Sequence, residues 1–383
     1  MSQALDGELL RPGPAERWIG RVLPAAAGAL GVALPGADAA RAALGLPAAE
    51  RIVVVLADGL GHVNLGERAG HAPFLRGLLG GSAPLLSTFP STTATAVGSF
   101  GTGLVPGATG MLGYTVRDPA TGRLGNVVSW TDLPAPEQWQ PEPSVLAGLA
   151  AAGVRTTSVG LRRFEGSGMT RAALRGSTYR GVDSARDRVA ATVAALREPG
   201  LVYLYWGEVD KVGHRHGWGS WQWGDELASL DRHLADLARL LPAGTVLAVT
   251  ADHGMVDVDP TRRWDVATDP TLGADVELVA GEQRAAHVHL VAGSDPVAAR
   301  DRWATTLGDC ALVVTRDEAV EAGWFGPVRE AVRPVIGDLV VAMRHRATVV
   351  DSRTQTPASL ALVGVHGSLT PAEMLVPWLV TVT

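Results

Sequence analysis

The chain has 383 residues, 46% hydrophobic and 19% charged, enough apolar material for one large α/β domain with an insertion or for two domains. Lys plus Arg total 33 against 39 Asp plus Glu, and the net charge of −6 argues against a nucleic-acid coat or a binder of anionic membranes, which need basic surfaces. The single cysteine, Cys310, excludes an internal disulfide framework and an all-cysteine zinc site, and it reads as a small buried hydrophobe.

Residues 1–50 are rich in Ala, Gly and Pro and read as a surface segment with one or two short helices. Their apolar stretch Leu23–Pro35 is broken by prolines and preceded by Asp6 and Glu8 rather than by a basic segment, so no secretory leader is expected. With no apolar run of about 18 residues, the expectation is a cytoplasmic chain without a membrane or nucleic-acid partner.

Ile52–Ala57 (IVVVLA) is a continuous apolar run, as suits a strand covered on both faces, and it ends in Asp58-Gly. Val145–Ala151 and Val189–Leu196 carry helical patterns. Leu201–Trp206 (LVYLYW) leads to Asp210, and Thr245–Thr250 (TVLAVT) leads to Asp252-His253-Gly. Between them, Leu227, Leu230, Leu234, Leu237 and Leu241 step by three and four along one helix face. Alternating strands and helices imply a doubly wound α/β core with a mostly parallel sheet flanked by helices. From residue 256 to 345 the pattern changes to short strands (His287–Val291, Ala311–Thr315, Asp338–Ala342) and one helix (Pro296–Leu307), which read as an inserted α+β cap. The expected organisation is an N-terminal segment 1–50, a catalytic core 51–255 and 346–383, and a cap 256–345. Thr370-Pro-Ala-Glu373 has the pattern of a capping box, and Pro377–Val382 returns as a strand.

Asp58, Asp210, His214, Asp252, His253 and His366 all stand in glycine-flanked, strand-end contexts. Ligands of open α/β sheets bind at that edge. Each has a plain alternative: Asp58-Gly as a turn, Asp210 and His214 as a solvated helix face, His366 as a hydrogen-bonded loop histidine. Together, three carboxylates and three imidazoles suit zinc or another borderline divalent metal, and six ligands suit two ions sharing a site. The hydroxyl-rich stretch Phe89–Gly103 predicts a helix over Thr93–Phe100, whose start would favour an anion. On spacing alone, Thr92 or Thr93 reads as an N-cap.

These segments in this order resemble the alkaline phosphatase superfamily, in particular its nucleotide pyrophosphatase/phosphodiesterase branch. The matching motifs are the strand ending in Asp58-Gly, Phe-Pro-Ser-Thr-Thr93 with Thr-Gly103 ten residues on, Asp210-Lys-Val-Gly-His214, Ala-Asp252-His253-Gly and Val-His366-Gly. The resemblance covers roughly residues 51–383 and implies a two-zinc phosphoesterase acting on a small phosphate ester. One ion would be held by Asp58, Asp252, His253 and the Thr93 oxygen, and the other by Asp210, His214 and His366. Thr93 would attack phosphorus, pass through a phosphothreonine and release product with retained configuration. The family's aromatic-Pro-x-x-Thr pattern and the interval to Gly103 both select Thr93, with Thr88 as the second choice.

Two departures stand out. The branch's base-stacking aromatic is Ala94 here, and the place of its phosphate-contacting Asn is Tyr114, a weaker substrate contact. A phosphomonoesterase or phosphonate hydrolase on the same scaffold is the nearest alternative, and a non-catalytic metal-stabilised binding protein is the alternative of another class. Sulfatases need a local Cys/Ser-x-Pro-x-Arg motif, and Cys310 is followed by Ala-Leu-Val-Val. Arg117, Arg162 and Arg163 are candidates for a second phosphate group or for structural roles. Trp206, Trp218, Trp221 and Trp223 are core or pocket wall.

Overall fold

β-Branched residues crowd Arg51–Ala57, and they fit an extended strand with both faces covered. In the computed structural model, which describes residues 4–5 and 9–383, this strand lies inside a six-stranded sheet. Asp6 and Glu8 lie outside the described residues. The strand order is Leu379–Val382, Val246–Thr250, Arg51–Ala57, Gly200–Trp206, Thr156–Gly160, Thr178–Gly181. All neighbours run parallel except the edge strand Leu379–Val382. Leu247, Val53 and Val202 lie side by side across three strands. The aspartates that follow those strands therefore emerge at one edge of the sheet.

Two groups of helices flank the sheet, one built on Val22–Ala29, Thr93–Thr102 and Val145–Ala151, the other on Pro73–Leu79, Ala185–Ala195 and Trp221–Leu240. The expected leucine stripe is buried at Leu227, Leu230, Leu234 and Leu237, and Ser220 caps that helix by accepting the Trp223 N–H. Among the described residues of 1–50, the expected short helices form at Val22–Ala29 and Ala37–Leu44, but the first is not at the surface. Every residue of Val22–Ala29 is buried, and the Trp378 indole donates to the Leu44 carbonyl at 2.9 Å. Small residues let this helix approach the Ala37–Leu44 helix closely, a Cβ at Gly28 standing 2.7 Å from the Ala37 carbonyl oxygen, so the Val22–Ala29 helix belongs to the core.

A second six-stranded sheet is antiparallel throughout, in the order Ala311–Thr315, Leu339–Met343, Ala285–Leu290, Val276–Glu282, Thr115–Arg117, Leu124–Asn126. Its last two strands come from outside residues 256–345. Alternation separates its faces. Val340 and Ala342 turn to the main core, whereas Leu339, Val341 and Met343 join Trp303 of the Pro296–Leu307 helix and Cys310 in a smaller core. Among the described residues, no helix is long and apolar enough to cross a membrane.

The capping box expected at Thr370 does not form. Pro371–Met374 is a short helix, but Glu373 turns away from the Thr370 backbone to pair with Arg284. The stronger charge-assisted bond wins over the cap.

His287 and His289 share one face of the second sheet, both buried, and their Nε2 atoms have no hydrogen-bond partner. Burial, with Arg316 beside it, holds His287 down to about 4; burial, with His287, Arg117 and Arg316, holds His289 down to about 2. The unfolded chain binds these protons near 6.5, so the stability tied to the neutral rings is full above that pH and is lost as pH falls toward 4. Each such ring is expected to cost roughly 2–4 kcal/mol by pH 4. Urea unfolding of wild type and of His289→Leu between pH 7.5 and 4.5 checks this: the variant should lose stability less steeply, and equal slopes would remove His289 from the account.

Candidate active site

Asp58 follows the Arg51–Ala57 strand in a turn that only glycine accommodates next. Gly59 has φ +72°, and a Cβ there would stand 2.8 Å from the Asp210 Cβ. The close approach brings Asp58 against the helix Glu208–His216, which presents Asp210 and His214 one turn apart on the same face, His214 Nε2 lying 3.2 Å from Asp210 Oδ2. Asp252 and His253 come from the end of the Val246–Thr250 strand. His366 joins them because Val256–Asp257 pairs antiparallel with Gly364–Val365.

Thr93 is the first residue of the helix Thr93–Thr102 and is half-buried. Its Oγ1 lies 3.4 Å from Asp58 Oδ1 and 3.2 Å from His253 Nε2. The N-cap Thr92 makes no side-chain cap, so the first helical N–H groups stay open to an anion. The loop before the helix is stitched to the His366 loop: the Ser91 N–H donates to the Gly367 carbonyl at 2.9 Å and the Ser91 hydroxyl to the Ser368 carbonyl at 2.6 Å.

The three histidines are held alike. Nδ1 of His214 meets the Gly364 carbonyl at 2.7 Å, that of His253 the Gly254 carbonyl at 2.9 Å, and that of His366 the Ser91 carbonyl at 3.1 Å. A carbonyl only accepts, so each Nδ1 donates its proton there and each ring turns its Nε2 toward the carboxylates. Metal-binding histidines are oriented in this way.

Two clusters have ligand atoms mutually within 4.8 Å: Asp210, His214 and His366, and Asp58, Asp210 and His253. The first is the trio expected for one ion. The second holds Asp210 where Asp252 is expected; Asp252 Oδ1 is engaged by the N–H groups of Gly59 at 3.2 Å and His253 at 3.1 Å. Asp252 Oδ2 faces His253 Nε2 at 3.6 Å.

The electrostatics are strained without a cation. Burial first, and Asp58 second, push the Asp252 carboxyl up to about 7. Burial lowers His253, but Asp252 and Asp58 outweigh it and hold the ring up to about 10. Burial, with His253 and His214, holds His366 well below its ordinary value. Asp210 Oδ1 and Asp252 Oδ2 are buried with no hydrogen-bond partner. Divalent cations would satisfy these orphaned oxygens and relieve the carboxylate repulsion, so the donor set fits the implied metals.

Two residues escaped the sequence reading. The Tyr205 hydroxyl donates to Asp58 Oδ2, fixing the carboxylate with Oδ1 toward Thr93. A phenol one residue from the end of a strand that is apolar apart from its two tyrosines is the available signal. Glu282, from the second sheet, accepts the Tyr114 N–H at 3.4 Å and nearly touches Gly367, where a Cβ would stand 2.8 Å from Glu282 Cγ. Burial pushes Glu282 up to about 8. Only the pairing of the two segments brings it there, so no local pattern announces it.

The remaining candidates separate. The Tyr114 ring is 45% exposed, and Ala94 is buried in its helix and offers no ring. Thr88 is buried with its hydroxyl donating to the Pro90 carbonyl at 2.9 Å. Arg117 pairs with Glu277 at 3.5 Å and Arg162 with Asp183 at 3.6 Å. Trp206 and Trp223 are core, Trp218 stands edge-on to Trp223, and Trp221 is exposed.

A family model described as type I phosphodiesterase / nucleotide pyrophosphatase matches residues 52–369. A comparison with curated proteins finds no match. Among solved structures, murine ectonucleotide pyrophosphatase / phosphodiesterase 5 is similar with a TM-score of 0.69 at 18% identity, over 86% of this chain and 87% of that one. An inactive form of that murine protein in complex with AMP is similar with a TM-score of 0.67 at 18% identity, over 86% and 87%. Phosphonoacetate hydrolase from Sinorhizobium meliloti 1021 in complex with phosphonoacetate is similar with a TM-score of 0.67 at 22% identity, over 87% and 90%.

Proposed function

Because the chain belongs to the type I phosphodiesterase / nucleotide pyrophosphatase family, and so to the phosphoric ester hydrolases of the alkaline phosphatase superfamily, we propose that it hydrolyses phosphodiesters or pyrophosphates at a two-zinc site through a phosphothreonine at Thr93. The observation that carries the reading is the convergence of three imidazole Nε2 atoms, three carboxylates and one hydroxyl at a single sheet edge.

Asp210, His214 and His366 would hold one ion; Asp58, Asp252, His253 and the Thr93 oxygen would hold the other. When bound, the ions would lower the pKa of the attacking hydroxyl and neutralise the phosphoryl and leaving oxygens. The chain's own part is positioning. Tyr205 fixes Asp58, the backbone carbonyls fix the three rings, and the open N–H groups of the Thr93–Thr102 helix face a phosphoryl oxygen. The Thr93 oxygen forms a bond to phosphorus as the alcohol leaves, and water then attacks phosphorus and frees Thr93. Two in-line displacements retain configuration.

Ala94 favours a second reading on the same chemistry, a phosphonate or monoester hydrolase, because no ring stands ready to stack on a base. Metal analysis with a panel of 4-nitrophenyl diester, monoester and phosphonate substrates decides. About two zinc per chain with diester cleavage is the expected result, and preferential phosphonate cleavage selects the second reading. Tight zinc with no turnover on any ester would make the chain a metal-stabilised binding protein. Manganese in protein purified without added metal would move it toward the superfamily's mutase-like branch.

A further inference from the structure

We propose that a small cavity beside the candidate metal ligands is a subsite for a second anionic group, a carboxylate or a phosphate, that the substrate carries on a short tail. This rests on the phosphoesterase reading above. The cavity, of about 230 Å³, is lined by Leu161, Arg163, Asp183, Gly207, Glu208 and Lys211. Pockets for drug-sized ligands run from ~300 to 1,000 Å³, so this one suits an anion on a linker of two or three atoms.

Its position ties it to the reacting centre. Lys211 directly follows Asp210 on the Glu208–His216 helix. Gly207 approaches Tyr205 so closely that a Cβ would stand 2.8 Å from the tyrosine hydroxyl, and that hydroxyl donates to Asp58. One tyrosine side chain thus borders both the cavity wall and the ligand cluster.

The charges leave two cations uncommitted. Glu208 is engaged by the buried Arg188, whose Nη1 lies 3.1 Å from Glu208 Oε2. Asp183 accepts the Arg162 N–H at 3.1 Å and faces its guanidinium at 3.6 Å. Among the described residues, neither Arg163 nor Lys211 has a carboxylate within 4.0 Å. The Arg163 guanidinium lies 4.7 Å over the Phe164 ring, and that ring stands edge-on to Tyr205 with centroids 5.6 Å apart. The stack holds the cation in place without neutralising it.

Of the 33 basic residues, 32 are arginine, and Lys211 is the only lysine in the chain. In a sequence that otherwise supplies its positive charge with planar guanidinium groups, the one compact ammonium stands at this cavity.

Two esters with the same leaving group test the subsite: 4-nitrophenyl ethyl phosphate and 4-nitrophenyl 2-carboxyethyl phosphate. Wild type should prefer the carboxyethyl ester in kcat/KM. Lys211→Ala and Arg163→Ala should each lower that preference about tenfold, the effect of one charge-assisted hydrogen bond, and Lys211→Arg should keep most of it. Equal kcat/KM for the two esters, unaltered in the variants, would overturn the subsite while leaving the phosphoesterase reading intact. A second readout does not need turnover. Apart from the terminal amine, Lys211 is the one amine that an acetylating reagent can modify, so peptide mass spectrometry follows it directly. 2-Carboxyethyl phosphate should slow its acetylation and ethyl phosphate should not; equal rates refute the subsite even in a chain that cleaves neither ester.

Discussion

Thr93→Ala is expected to lower kcat for a diester substrate by roughly 10³-fold or more, as loss of a nucleophile does elsewhere, while zinc content and the unfolding transition stay near wild type. The Thr93 oxygen lies within 3.4 Å of both Asp58 Oδ1 and His253 Nε2. It stands at the start of a ten-residue helix whose cap side chain leaves the first N–H groups open. No other hydroxyl in the stretch combines both features. Thr92 is the residue before the helix, and Thr88 spends its proton on the Pro90 carbonyl. Thr88→Ala should therefore turn over almost normally. Thr93→Ser should recover part of the rate, because a hydroxyl remains at the same place on the helix. Steady-state kinetics of the three variants, with metal analysis on each, checks the assignment. Near-normal turnover in Thr93→Ala with a dead Thr88→Ala would move the nucleophile by five residues and redraw the site.

Much of this geometry was legible because its parts are local. A buried parallel strand reads as an unbroken apolar run, and the polar residue that follows it falls at the sheet edge by construction. That is why Asp58, Asp210 and Asp252 were found from their neighbours alone, and why the four-residue step from Asp210 to His214 already placed both on one helix face. The same reasoning reached the Trp221–Leu240 helix through its leucines and Leu379–Val382 through its apolar content.

What escaped is non-local. Glu282 reaches the site because a hairpin at its own end of the chain pairs with Thr115–Arg117, a partner more than 160 residues away. No window of sequence contains both. Thr115–Arg117 and Leu124–Asn126 are three-residue strands, too short for periodicity to register, so their place in the second sheet was invisible. Val22–Ala29 reads as surface because small, proline-broken sequences usually lie there. It is buried because small side chains allow backbones to approach closely, a property of the neighbours as much as of the segment. Tyr205 was within reach, since its neighbours in the strand are apolar and its hydroxyl needs a partner if buried.

The capping residue that failed to cap carries the largest stability effect. Arg284 and Glu373 are fully buried and joined by two bonds, Nε to Oε1 at 3.0 Å and Nη2 to Oε2 at 2.7 Å. The remaining donors and acceptors are committed too. Arg284 Nη1 donates to the Ala347 carbonyl at 2.6 Å, Glu373 Oε1 accepts the Ser368 N–H at 3.0 Å, and Oε2 accepts the Thr370 hydroxyl at 2.6 Å. The Gly254 N–H donates to the Glu373 carbonyl at 2.8 Å. The pair therefore ties the second sheet to the loop that carries His366 and to the turn that carries Asp252 and His253. Arg284→Met or Glu373→Leu leaves one buried charge unpaired and is expected to cost about 3–5 kcal/mol in urea unfolding. The double variant should cost clearly less than the two singles together, because it buries no orphaned charge. Either single variant should also weaken zinc binding, since both histidine-bearing segments lose a common anchor. Single variants within about 0.5 kcal/mol of wild type, the range of an ordinary surface change, would show that the pair is solvated and anchors nothing.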